Sequence, residues 1–246
     1  MLPVVTVSGS KAYDDLGALY DVWCADVDYD IGFYLLFCED ARDPVIELGA
    51  GTGRVAVELC RHNHTVIAVD GSPNALAAAE QRAQRQGVSQ HLTTIVGDLR
   101  SLPRELPLTE CVISPFRTLM HLHDDEECVL ALRQAVDLLD VSGRFAFDVF
   151  EPTDVDIEAT HGRTIERPNG FRERALWDRT CQTIELSIRQ GAVETSMSLR
   201  WRTRAQWSKL FDAAGVHCRA AYTGFDLVPL RDRRGDQVYV VERRSS

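Results

Sequence analysis

The chain has 246 residues, 45% of them hydrophobic, and a formal net charge of -10; that length and apolar content suit one core with insertions better than two domains. With no run of basic residues, the acidic balance excludes a nucleic-acid partner, which requires a cationic footprint to displace counterions from phosphate, and points to a small neutral or cationic substrate. Its apolar runs are too short for a membrane span or a signal peptide, and the opening "MLPVVTVSGS" lacks a basic start, so a soluble cytoplasmic chain with no membrane partner is expected, with a homodimer left open.

From the front, residues 11–39 place Leu16, Leu19, Tyr20 and Trp23, then Phe33, Leu36 and Phe37, at helical spacing, which predicts two short amphipathic helices. "PVIELGA" and "TVIAVDGS" read as buried strands, each followed by a helix. The first helix is "RVAVELCRHN"; the second, "PNALAAAEQRAQRQG", has Ser72 as N-cap, Pro73 at its first position and Gly87 beyond its end. "LTTIVGD", "ECVISPF" and "GRFAFDVF" are further strands, with the helix "DDEECVLALRQAVDLLDVSG" between the last two. Strands alternating with helices over 44–150 imply a parallel sheet covered on both faces.

After Pro152 the apolar period shortens to two. Ile184, Leu186 and Ile188 in one run, and Val193, Met197, Leu199 and Trp201 in the next, flank a turn at Gly191, and Asn169-Gly170 marks a hairpin upstream. The chain closes with the helix "RAQWSKLFDAAG" and strands around "AAYTGFDLV" and "DQVYVVE". Seven cysteines, none in a C-x-x-C pair, read as reduced thiols.

The stretch "VIELGAGTGR" turns from strand into helix on three glycines, Gly49, Gly51 and Gly53, a turn at which a ligand can approach backbone N–H groups. A dinucleotide fingerprint would place its third glycine where Arg54 stands, which counts against a nucleotide-dependent oxidoreductase. The spacing Glu47-x-Gly49-x-Gly51-x-Gly53 resembles motif I of class I S-adenosylmethionine-dependent methyltransferases, and the resemblance covers nearly the whole chain. "VIAVDGSPNAL" ends a second strand at Asp70, about 20 residues on, where an acid accepts from ribose hydroxyls. "VGDLRSLP" supplies Asp98 and Leu99 for the adenine, and "CVISPFRTLMHL" ends the fourth strand at Ser114, beside the methyl donor. "LLDVSGRFAFDVF" is similar to the stretch ending L-x-P-G-G, with Val141-Ser142-Gly143 as a departure.

The resemblance implies a doubly wound, seven-stranded, mostly parallel α/β sheet with an N-terminal helical lid over 1–43, a cofactor-binding core over 44–150, an antiparallel cap over 151–203 and a return to the core sheet over 204–246. It implies S-adenosyl-L-methionine as cofactor, held by Glu47, Gly49, Ala50, Gly51, Gly53, Asp70, Gly71, Ser72, Asp98, Leu99 and Ser114. The lid segment "YDDLGALYDVWCADVDYD" adds Tyr13 and Tyr20, which either face the cationic sulfur or are ordinary helix core. The expected chemistry is methyl transfer to an oxygen or nitrogen of a small molecule. A non-catalytic cofactor-binding subunit is the other-class alternative, favoured by a pocket too closed for an acceptor.

Glu47 lies inside a buried strand and is expected to accept hydrogen bonds from the glycine loop or ligand. His121 is the candidate general base, with Tyr20 behind it, or else a structural histidine. Arg117 either contacts the substrate or caps a helix. "HLHDDEE" carries two histidines and four acids, but alternate histidines converge only on a strand, so no metal is expected. Arg172, Arg174, Arg200, Arg202 and Arg204 read as the wet face of the cap sheet.

Overall fold

In the computed structural model, which describes residues 19–24, 27–42, 44–231 and 233–244, an eight-stranded sheet runs through most of the chain. β1 (Val45–Leu48) stands between β2 (Val66–Asp70), with β3 (Leu92–Val96) beyond it, and β4 (Thr109–Ser114), with β5 (Leu139–Glu151) beyond it; these five are parallel. A second, four-stranded antiparallel sheet orders β6 (Thr164–Glu166), β7 (Arg172–Asp178), β8 (Thr183–Gln190) and β9 (Val193–Arg200). Back in the main sheet, β12 (Gly235–Arg243) lies antiparallel beside β5, then β10 (Val216–Thr223) and the two-residue β11 (Val228–Pro229). The expected seven strands are present and β11 is an eighth. Strand order reverses between β1 and β4, which opens a crevice at the carboxyl ends of the strands.

Alternate residues of β1 feed two cores. Val45 packs with the helices α2 (Ile31–Cys38), α3 (Arg54–Arg61) and α4 (Pro73–Arg85), through Phe33, Tyr34, Val55, Leu59 and Leu76. Ile46 and Leu48 face α5 (Asp125–Asp137) and α7 (Arg204–Ala214), through Leu132, Trp207 and Phe211. The helix caps follow the sequence: Ser72 Oγ accepts the Ala75 N–H at 3.0 Å, and Gly215 ends α7 in the left-handed region. On α2 the buried stripe is Phe33, Tyr34 and Cys38; Leu36, expected inside, is 54% exposed. All seven cysteines are free thiols. No helix among the described residues is long and apolar enough to cross a membrane.

Two local readings are corrected. The helix expected to reach Gly143 stops at Asp137, and β5 starts at Leu139 with a register shift against β4. Gly143 is required there because a Cβ would lie 2.7 Å from the Thr109 carbonyl oxygen. A helix not anticipated, α6 (Asp154–Thr160), leads into the cap; its signal was Thr153, whose side chain accepts the Asp156 N–H in a capping box. The helix α1 (Leu19–Trp23) is the short front helix.

Candidate active site

Beyond β1 the chain turns over Gly49, Gly51 and Gly53, all with positive φ, but the reasons differ. A Cβ on Gly53 would lie 2.8 Å from the Ala79 Cβ, so Gly53 lets α3 and α4 meet and is not part of the cavity wall. A Cβ on Gly51 would meet nothing within 4 Å, because Gly51 borders open space.

That space is a cavity of about 1190 Å³, bounded by the glycine loop, the ends of β2 and β3, the turn after β4, and the β8–β9 face of the cap. Glu47, Gly49, Ala50, Gly51, Asp70, Gly71, Asp98, Leu99 and His121 all line it.

Asp70 sits at the end of β2 and holds the loop in shape: one carboxylate oxygen accepts the Gly51 N–H at 2.8 Å, the other the Ser72 N–H at 2.8 Å. Ser72 itself is buried and caps α4, outside the cavity wall. Glu47 is 2% exposed, and its Oε2 has no hydrogen-bond partner. Burial pushes its carboxyl up to about 8, against the pull of the nearby Arg54 guanidinium. A buried oxygen of this kind on a cavity wall is suited to a cationic donor.

Asp98 is not a free acceptor. Arg100 donates to it from Nε at 2.8 Å and Nη2 at 2.5 Å, which holds its carboxyl below the usual range, and Arg100 also reaches Glu127 at 2.5 Å. Leu99 beside it packs on the core.

Past β4 two expectations fail. Ser114 is fully buried, its hydroxyl donating to the Leu48 carbonyl at 2.8 Å, so it ties β4 to β1 instead of facing the cavity. Arg117 also lies off the cavity wall: its guanidinium pairs with Asp236 at 2.8 Å and stacks on Phe150 at 4.8 Å. Phe116 and Arg117 adopt φ of 57° and 62°, an unfavourable conformation for such side chains that needs outside support. Asp148, buried on β5, provides it by accepting the Phe116 N–H at 2.7 Å, the Arg117 N–H at 3.0 Å and the Tyr34 hydroxyl at 2.6 Å. Burial first raises the Asp148 carboxyl to about 6, and the Tyr34 hydrogen bond opposes this.

His121 ends the 3-10 turn Thr118–His121 on the cavity wall, where desolvation, then neighbouring His123, lowers it to about 4. The imidazole is therefore neutral at physiological pH, not poised near 6.5. Arg202, expected on a wet face, is 1% exposed; it holds Asp125 at 2.9 Å and the Leu122 carbonyl at 2.9 Å, pinning the histidine turn to the cap. Arg200 likewise donates to the His123 carbonyl, and His123 Nε2 lies 3.1 Å from the Ser198 carbonyl oxygen.

The front of the chain is clasped to this site. Arg54 forks onto Asp30 at 2.6 Å from both nitrogens and lies 5.1 Å over the Phe116 ring. Asp21 in α1 accepts from Thr52 at 2.5 Å and pairs with Arg82 at 2.7 Å, while Trp23 donates to Glu173 of the cap at 2.5 Å and the Val22 carbonyl accepts from Asn169 at 2.8 Å. Tyr13 and the Tyr20 side chain lie outside the described residues. Sequence reasoning missed Arg54, Asp30 and Asp148; the last was signalled by a lone acid inside the apolar run "FAFDVF".

Residues 45–143 match the family described as Methyltransferase domain. A protein of Geobacillus sp. (strain WCH70) named as a methyltransferase is 28% identical over 151 residues, spanning 58% of this chain and 57% of that protein's length. The structure of the CcbJ methyltransferase from Streptomyces caelestis superposes with a TM-score of 0.83 at 24% identity, covering 95% of this chain and 98% of that one. The glycopeptide N-methyltransferase MtfA complexed with S-adenosylmethionine gives 0.62 at 17% identity, covering 94% and 99%.

Proposed function

We infer that this chain is a class I S-adenosylmethionine-dependent methyltransferase and transfers the methyl group of S-adenosylmethionine to an oxygen or nitrogen of a small molecule, a reading supported by its matched domain and its fold. The observation that carries the reading is the wall made by Glu47, Gly51 and Asp70: an unsatisfied buried carboxylate oxygen, a glycine with open space before it, and an acid at the end of β2. These residues fit the cofactor. Glu47 would take its ammonium, the Ala50–Gly51 backbone would allow close approach, and Asp70 at the end of β2 would accept from the ribose. Leu99 would pack the adenine, whose amine would have to share Asp98 with Arg100.

When bound, the cofactor supplies a methyl group on a cationic sulfonium, ready for in-line displacement. The chain's own part is alignment and exclusion of water, supplied by the cap and by the loop that Asp148 holds. A cavity of about 1190 Å³ exceeds the usual several hundred Å³ of a single-ligand site. That leaves room for an acceptor and disfavours a non-catalytic subunit. Titration calorimetry with S-adenosylmethionine, S-adenosylhomocysteine and NAD tests the reading: the first two should bind and NAD should not. Binding of NAD alone would overturn it.

A further inference from the structure

Resting on the methyltransferase reading, we propose that the acceptor is a basic amine and that Glu185 of the cap stabilises the positive charge that forms on its nitrogen. Glu185 and Ser198 face each other across β8 and β9 and both line the cavity. The Ser198 hydroxyl donates to Glu185 Oε1, and the Ser198 carbonyl oxygen meets His123, two residues beyond His121. Glu185 is thereby linked to the histidine turn after β4, the side of the cavity on which the acceptor is proposed to sit.

The charges on this wall are unevenly matched. Arg54 is committed to Asp30, and Arg100 to Asp98 and Glu127. Arg104 sits exposed at the rim beside Glu105. Among the described residues Glu185 has no cation within ion-pair distance, and its hydrogen bond comes from a neutral hydroxyl. An anionic acceptor would meet this carboxylate with only the rim arginine to offset it, whereas a basic nitrogen meets a complementary charge.

The protonation chemistry separates amines from alcohols and phenols. A hydroxyl acceptor becomes a strong nucleophile by losing its proton to a base matched to the working pH. His121, lowered to about 4 by desolvation, is a poor base for that task. An amine needs no base, because its free-base form already carries the attacking lone pair. As the C–S bond breaks, its electron pair stays on sulfur as a thioether. The nitrogen lone pair forms the N–CH₃ bond, and the nitrogen becomes cationic until its proton leaves to solvent. Positive charge thus moves from sulfur to nitrogen, and a carboxylate already in place favours the transition state over the neutral reactant.

The test uses the full chain with tritiated S-adenosylmethionine and two pairs of probes: D-glucosamine with N-acetylglucosamine, and tyramine with N-acetyltyramine. Label on the amines alone, rising with pH towards each probe's own ammonium pKa, is expected. Glu185→Gln should lower that transfer by roughly a hundredfold, with part restored in Glu185→Asp. S-adenosylhomocysteine affinity, read by calorimetry, should stay within about twofold of the wild type. Label on the phenol of N-acetyltyramine, on none of the amines, or undiminished in Glu185→Gln overturns the proposal. Failure of the wild type to bind S-adenosylhomocysteine removes the methyltransferase reading itself.

Discussion

The Asp148 carboxylate accepts the Phe116 amide proton at 2.7 Å, across a gap of 32 residues, and so braces a phenylalanine held at a φ of 57°. Phe116 is the residue that turns the chain from β4 into the cavity wall, with Arg54 stacked on its ring. Asp148→Ala strands three donors, which should cost about 3 kcal/mol or more and lower Tm by roughly 6–12 °C. Asp148→Asn keeps one acceptor oxygen and should fall between. Because burial raises this carboxyl to about 6 from 3.8, its contribution to stability is fully present below 3.8 and is lost as pH rises through 6. Chemical denaturation across that window should show the decline in the wild type and not in Asp148→Asn. Equal slopes would show that another group is responsible.

Gly51 and Gly53 should respond oppositely to the same change. Gly51→Val points into open space, so it should abolish S-adenosylhomocysteine binding in calorimetry while costing about 1 kcal/mol for the left-handed backbone. Gly53→Val meets Ala79 and should cost several times as much in denaturant titration. If the stability losses match, Gly53 does not set the α3–α4 approach.

Asp70→Ala should weaken S-adenosylhomocysteine binding roughly ten- to a hundredfold, the worth of hydrogen bonds to a charged acceptor. The same carboxylate holds the amides of Gly51 and Ser72, so unliganded Tm should fall as well. An analogue lacking both ribose hydroxyls tells the two roles apart. If it loses as much affinity in Asp70→Ala as the intact ligand does, the carboxylate only shapes the loop.

Binding should depend on pH through Glu47. Its carboxyl is raised to about 8, so below that pH a cationic ligand must displace a proton, and affinity should rise as pH climbs from 6 towards 8. Calorimetry in buffers of different ionisation enthalpy should detect a released proton in the wild type and none in Glu47→Gln. Folding runs the other way. The raised Glu47 favours stability below 4.5 and loses that contribution as pH rises through 8.

The legible parts of this protein were those written in neighbouring residues. Strand and helix periods, the Ser72 cap and the glycine turn depend on a few adjacent positions, and the spacing from Gly49 to Asp70 is set by one strand–helix–strand unit. Ser114 and Arg117 were misread because their directions are decided by Leu48 and Asp236, far along the chain. Arg202 alternates with apolar neighbours like any wet-face residue, but the acidic helix start at Asp125 draws it inside. The titration of His121 depends on how closely the cap covers the turn, which no local pattern encodes. Asp98, expected to meet the adenine, lines the cavity, yet Arg100, two residues away, occupies its carboxylate.

α1 is tied through Asp21 to Thr52 in the glycine loop and through Trp23 to Glu173 in the cap. One short helix thus couples the glycine loop to the cap, two separate walls of the cavity. A site assembled in this way should load its donor first and release the spent donor last. Steady-state kinetics should accordingly show S-adenosylhomocysteine competitive against S-adenosylmethionine and noncompetitive against the acceptor, and a dead-end acceptor analogue uncompetitive against S-adenosylmethionine, whereas random entry would make that analogue noncompetitive against S-adenosylmethionine.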